Sequence, residues 1–217
     1  MLEEPVKIQG LTSVVIENKA VFARIVKDIY AYENDAQIDV RLFHDDQSKV
    51  TASEILPITD IINFDINSAQ TLKVIYKDLE DTISIEPDKK TNIEDKLGEA
   101  WSAINKELIH FRLSLTMQKL TLPSIFKATN IKIETDCPTL LDKVLTIIEV
   151  FKYLPKKKLL IFIGLGSYLT AQEMETTREY VQLQNASVLL LDNNSFEIYQ
   201  QTVVDEDFVT MQLAHKN

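Results

Sequence analysis

Lys158–Ile163 reads KLLIFI, and it is followed by Gly164–Ser167 (GLGS) and then Thr170–Glu173 (TAQE). A continuous apolar run of this length, bounded by a turn, is the pattern of a strand covered on both faces, as in a parallel sheet. The threonine and the glutamate three residues on form a capping box, in which each side chain satisfies a backbone donor of the other. Leu169 and Met174 stand where a hydrophobic staple clamps a helix start. A buried strand, a glycine turn and a capped helix to about Gln184 form the first half of a βαβ unit. Val188–Leu191, ending at Asp192, supplies the second strand. The unit implies a right-handed crossover and a mainly parallel sheet.

Working back from this unit, Pro138–Leu154 is helical, with Pro138 in the first turn and Pro155 at the end. Working forward, Phe208–Leu213 is a last strand. At the other end of the chain, Val6–Gln9 and Thr12–Glu17 around Gly10 suggest a hairpin. Asn18 is placed to cap a helix from Lys19 to Tyr32. Ile38–Phe43 alternates as a strand, and Ile55–Thr59, interrupted by Pro57, reads as an edge strand. The texture changes at Asn67. Leu72, Ile75, Tyr76, Leu79 and Ile83 recur at helical spacing, as do Leu97, Trp101, Ile104, Leu108 and Phe111. Pro87 separates the two stripes, and Thr91 with Glu94 predicts a capping box for the second. Leu120–Ala128 packs against this hairpin, and strand character returns at Ile131–Glu134. The expected organisation is an α/β head, residues 1–66 and 131–217, with an inserted helical leg, 67–130.

The chain has 217 residues, 45% of them hydrophobic and 26% charged, with four glycines and six prolines. These are the proportions of a globular protein and exclude a low-complexity chain. No apolar run is long enough to span a membrane, and MLEEPVKIQG lacks the apolar core of a signal peptide. One cysteine, Cys137, permits no internal disulfide, so a reducing cytoplasm is expected. With His44, His110 and His215 scattered, the chain has no zinc-site spacing.

Net charge is −10, which as a whole disfavours nucleic acid. The charge is segregated, however. Leu108–Ile133 contains no acid but has Arg112, Lys119, Lys127 and Lys132. Val150–Gln172 contains no acid but has Lys152, Lys156, Lys157 and Lys158. One reading is clustering on solvated faces, with Lys156–Lys158 placed beside a helix C-terminus where cations meet the dipole. The other is a basic surface that contacts phosphates on an otherwise acidic body.

The chemistry-bearing motifs are incomplete. Gly164–Ser167 lies where α/β proteins place phosphates, at a strand-to-helix turn. No lysine follows Gly166, so the phosphate loop of nucleotide hydrolases is missing, and Leu169 stands where a dinucleotide fingerprint needs its third glycine. Asp192 ends an apolar run as a magnesium-binding aspartate does, or caps the turn that follows it. Asp205, Glu206 and Asp207 offer oxygen ligands to calcium, or form a solvated turn. No spacing suggests a Ser-His-Asp triad. These absences point to a protein that binds and assembles, not one with a covalent chemistry of its own.

The stretch Phe151–Phe162 (FKYLPKKKLLIF), with Leu169, Thr170 and Glu173, resembles the small accessory protein of type II-A CRISPR systems, the Csn-two family. Phe64–Ser68 followed by Leu72, Lys73 and Asp78–Glu80, the first helix with Val21, Phe22, Ile25, Val26, Tyr30, Tyr32 and Glu33, and Asp205–Phe208 agree in order along the chain. The resemblance implies a head like a degenerate P-loop ATPase core without a working nucleotide site, and an inserted helical leg. It also implies a ring-shaped homotetramer whose basic channel takes double-stranded DNA ends, with bound calcium stabilising the ring. The implied role is spacer acquisition beside the CRISPR integrase proteins and the RNA-guided effector nuclease. Alternatives are a scaffold for adaptation proteins without DNA binding of its own, and a P-loop-type nucleotide enzyme. On charge alone, the DNA-binding candidates are Lys156, Lys157 and Lys158 first, with Lys152 beside them, then Arg112, Lys119, Lys127 and Lys132. The family carries an acid-rich, calcium-suited segment ahead of the strand expected at Ile131. Here the corresponding Leu113–Thr121 has no acid, and Glu107, Glu134 and Asp136 alone are a poor cage.

Overall fold

The computed structural model describes residues 5–32, 40–195, 200–207 and 209–214. The chain divides into two compact units, Met1–Ile66 with Thr135–Asn217, and Asn67–Glu134.

The first unit is built on the apolar run that ends at Gly164. Leu159–Ile163 forms strand β3 and Val188–Asp192 forms β4, and every residue of both is buried. With β1 (Leu11–Ile16), β2 (Ile55–Ile58), β5 (Gln200–Val204) and β6 (Thr210–Ala214) they make one six-stranded sheet in the order β2-β3-β4-β1-β5-β6. Every pairing is parallel except β5 with β6. Side chains alternate across the sheet. Val14, Ile16, Leu159, Ile161, Ile163, Leu189 and Leu191 form one core face with Ile29 of helix α1 (Lys19–Tyr30). Leu160, Phe162 and Leu190 point to the other face and are fully buried. Helices α5 (Leu140–Tyr153) and α6 (Ala171–Leu183) cover that side with Val144, Ile147, Ile148, Met174 and Val181.

The capping chemistry is largely as the sequence implies. Asn18 accepts the Ala20 and Val21 amides (3.1 and 3.2 Å), and Thr170 with Glu173 closes a capping box at α6. Leu169 and Met174 are both buried. Pro57 is tolerated because β2 is an edge strand.

Several expectations are corrected. Val6–Gln9 is not a strand; β1 pairs in parallel with β4 and β5, so no hairpin opens the chain. The strand expected at Ile38–Phe43 lies partly outside the described residues, and its described part makes only an isolated bridge, Phe43 to Lys49. Strand β5 had no apolar signature at its start, Gln200-Gln201-Thr202, yet Gln201 and Thr202 are buried. Phe208, at the start of the expected last strand, is outside the described residues.

The second unit contains α2 (Ala69–Ser84), α3 (Pro87–Ile109) and α4 (Leu122–Ala128). Pro87 marks the break between the two helices and opens α3, because its missing N–H falls in the first turn, where helical amides lack partners anyway. Thr91 therefore lies inside the helix and caps nothing. Tyr76 packs on Phe126 with ring centroids 5.7 Å apart, and with Leu122 they form a small core that Leu72, Leu79, Ile83, Ile93 and Leu97 complete. Residues 131–134, expected as a strand of the head, are not a strand and belong to this unit. Side chains hold them in place of a ladder. The Tyr76 hydroxyl donates to the Ile131 carbonyl (2.8 Å), Asn67 Nδ2 donates to the Ile133 carbonyl (3.0 Å), and Asn67 Oδ1 accepts the Ile133 amide (2.8 Å).

Asn67→Ala removes both bonds to Ile133. The expected outcome is a loss of about 1–3 kcal/mol, read as a lower urea midpoint with an unchanged slope.

Candidate nucleic-acid interface

The strand-to-helix turn after β3 is the place where a nucleotide would be held. Gly164 adopts a left-handed conformation (φ 78°), and a short 3-10 turn, Leu165–Ser167, leads toward α6. Three of its four amides are already engaged. The Gly164 amide bonds the Leu191 carbonyl (2.9 Å), Ser167 bonds Gly164 (3.3 Å), and Tyr168 bonds Leu165 (3.0 Å). The Gly166 amide donates to Asp192 Oδ1 (3.2 Å). A carboxylate thus sits where a phosphate oxygen would be needed. Asp192 caps this turn, which precedes it in the chain, where the sequence suggested the turn that follows it.

Asp192 is only 3% exposed, and its Oδ2 has no hydrogen-bond partner. Burial pushes its carboxyl up from the usual 3.8 to about 6, against the opposing pull of the Gly166 N–H. The folded-state value lies above the unfolded one, so the folded chain holds this proton more tightly. The resulting stability is fully present below about 3.8 and is lost as pH rises through about 6.

The basic candidates lie elsewhere. Lys156, Lys157 and Lys158 precede β3, at the amino edge of the parallel strands, opposite the Asp192 turn. They are not equivalent. Lys157 Nζ donates to the Ile55 carbonyl at 2.6 Å, and burial lowers its pKa. Lys152 Nζ reaches the Asn185 carbonyl at 3.3 Å. These two fasten the helix end and strand start to their neighbours, so Lys157 has a structural role that Lys156 and Lys158 do not share. Lys156 and Lys158 are exposed.

In the helical unit, Arg112, Lys119, Lys127 and Lys132 are all exposed. None of the eight candidates pairs with a carboxylate among the described residues. Arg112 and Lys119 lie in the segment between α3 and α4, Lys127 in the last turn of α4, and Lys132 just beyond it.

Calcium finds no ready set of ligands among the described residues. Among the described residues no group of three or more His, Cys, Asp or Glu side chains could share a metal ion. Asp205 is committed to its own loop: its Oδ1 accepts the Asp207 and Val209 amides (2.9 and 2.8 Å). A cleft of about 570 Å³ beside β1, β5 and β6 is lined by Thr12, Thr202, Thr210 and Gln212, with Lys7 as its one charged residue. It holds no acid and no nucleophile–base pair. No helix among the described residues is long and apolar enough to cross a membrane.

Comparison with known proteins places this geometry. Residues 31–208 match the family model described as "CRISPR-associated protein (Cas_Csn2)". The chain is 39% identical over 208 residues to the CRISPR-associated protein Csn2 of Enterococcus faecalis, covering 96% of this chain and 94% of that one. It is 35% identical over 208 residues to the Csn2 of Streptococcus agalactiae, covering 96% and 93%. Among solved structures, Stu0660 of Streptococcus thermophilus superposes with a TM-score of 0.56 at 13% identity, over 96% of this chain and 72% of that one, a likeness of fold.

Asp192→Asn removes the titrating group. Relative to this variant, the natural chain gains stability as pH falls from 8 through 6 toward 4, by at most about 3 kcal/mol at about 1.4 kcal/mol per unit of displacement. Urea denaturation of both chains across that range reads the difference.

Proposed function

The chain belongs to the CRISPR-associated Csn2 family, and from that premise we propose that it binds double-stranded DNA ends without regard to sequence, as a homotetrameric ring, in support of spacer acquisition. Family membership carries the association with CRISPR systems. The binding mode rests on one observation, the exposed and acid-free basic run of the helical unit in a chain of net charge −10. Duplex DNA is repelled by an acidic body except where cations are concentrated, and several copies facing a common channel multiply a modest basic run into a strong field. The contacts are to phosphates, which position a duplex and carry no sequence information.

Arg112, Lys119, Lys127 and Lys132 are the principal contacts in this reading, with Lys156 and Lys158 as additional ones. Lys152 and Lys157 contribute charge but are held by backbone carbonyls. Assembly has its own support. Helix α3 is 23 residues long with no buried residue, and the small core beneath it reaches only as far as Leu97. Ile104 and the residues after α3 are left for a second copy to cover. The protein works in this reading in the cytoplasm, beside the CRISPR integrase proteins and the RNA-guided effector nuclease, without covalent chemistry and without a nucleotide. The engaged amides of Gly164, Gly166 and Ser167 support the last point.

Gel-shift binding to linear and to closed circular duplex of the same sequence tests the ring. Binding to the linear form alone, weakened by salt, is expected; equal binding to both forms would mean a surface binder. Arg112→Glu with Lys119→Glu is expected to weaken binding at least about tenfold and to reduce the salt slope by about one for each phosphate no longer neutralised. Absence of binding to either form would favour a scaffold for other adaptation proteins.

A further inference from the structure

The cations of the acid-free run stand on very different main chain. Arg112 and Lys119 lie in a segment where, among the described residues, no backbone amide of 112–120 donates to a protein acceptor. Lys132 lies between two residues whose backbone groups are all bonded. On one side, the Ile131 amide reaches back to the Phe126 carbonyl (2.9 Å) and the Asn130 amide to the Lys127 carbonyl (3.1 Å), with Asn130 left-handed (φ 55°). This is the double closure of a Schellman turn at the end of α4. The Ile131 carbonyl then accepts the Tyr76 hydroxyl (2.8 Å). On the other side, the Asn67 side chain bonds both the amide and the carbonyl of Ile133 (2.8 and 3.0 Å). The clamp is grounded in the small core, because Tyr76 is buried and packs on Phe126 of the helix that the turn ends. No β-ladder requires this arrangement. The residue held at its centre is an exposed lysine with no carboxylate partner among the described residues.

We propose that Tyr76 and Asn67 are positioning residues for Lys132: by fixing its main chain, they present its ammonium to a duplex phosphate from a backbone that is already ordered. The inference rests on the DNA-binding reading above and names the residues that shape one of its contacts. The physical reason is entropic. A contact made by a mobile segment must offset the free energy of ordering that segment. At Lys132 folding has already met that cost, whereas at Arg112 and Lys119 it falls on binding. The aliphatic stem of lysine stays flexible, so the clamp sets where the ammonium is delivered and leaves its final approach to the phosphate free. Loosening the clamp leaves the charge in place. Long-range attraction to DNA then persists while the close contact is weakened. Tyr76→Phe separates these effects from packing, because the bond to Ile131 is lost and the ring on Phe126 remains.

Fluorescence anisotropy of a labelled linear duplex, titrated with the full chain at several salt concentrations, tests this. The clamp variants are Tyr76→Phe and Tyr76→Phe with Asn67→Ala. Each is made in the natural chain, in Lys132→Gln and, as a control, in Arg112→Gln. Lys132→Gln is expected to weaken binding and to lower the salt slope by about one. Tyr76→Phe is expected to weaken binding at least about threefold in the natural chain and in Arg112→Gln, and to have no further effect in Lys132→Gln. Adding Asn67→Ala increases the loss in the same two backgrounds only. Tyr76→Phe keeps the test decisive if Asn67→Ala unfolds the unit. Equal weakening in all three backgrounds would mean that the clamp acts on the stability of the unit alone. That result, or no weakening in any background, or an affinity indifferent to Lys132→Gln, overturns this inference and leaves the DNA-binding reading standing. A natural chain that does not bind the duplex overturns both together.

Discussion

Strands β3, β4 and β1 are buried on both faces, and that double burial is the constraint from which the α/β unit follows. A strand covered on both sides must be apolar along its whole length and must have helices packed above and below it. α1 supplies one cover, and α5 and α6 the other. The residues that connect these helices to the strands are therefore confined to the sheet's two edges. At the carboxyl edge the chain places a carboxylate, Asp192, against the amide of Gly166. At the amino edge it places lysines. Nucleotide-binding sheets leave backbone amides at the carboxyl edge free for phosphate. Occupation of the Gly166 amide by Asp192 is a physical reason to look for phosphate contacts elsewhere in the molecule.

The helical unit is organised by a different balance. Its core is small: Tyr76, Leu122 and Phe126, completed by the facing residues of α2 and the first half of α3. The rest of α3 and the segment after it keep their apolar side chains outside. Cations accompany those side chains, and acids are absent from Leu108 to Ile133. The proposed assembly and the proposed DNA contact both draw on this one stretch of chain.

What was legible in the sequence was what local chemistry dictates. KLLIFI and VLLLD were readable as strands because an unbroken apolar run has few other uses, and Thr170 with Glu173 marked the start of α6. Apart from Thr91, the misreadings involve partners distant in sequence. Gln200-Gln201-Thr202 looks polar, yet pairing with β1 and β6 places it within the sheet. Ile131–Glu134 has strand composition, but Asn67 and Tyr76 satisfy its backbone from the side. Lys157 is indistinguishable from Lys156 and Lys158 on charge. Only the pairing of β2 with β3 shows that its ammonium is bound to the Ile55 carbonyl.

The central claim is that phosphate is met by the acid-free run of the helical unit and by the amino-edge lysines, not by the glycine turn after β3. Photochemical crosslinking of the natural chain to linear duplex, followed by identification of the attached peptides, tests it most directly. The account predicts attachment within residues 108–133 and around Lys156 and Lys158. Attachment concentrated at Gly164–Ser167 would contradict it.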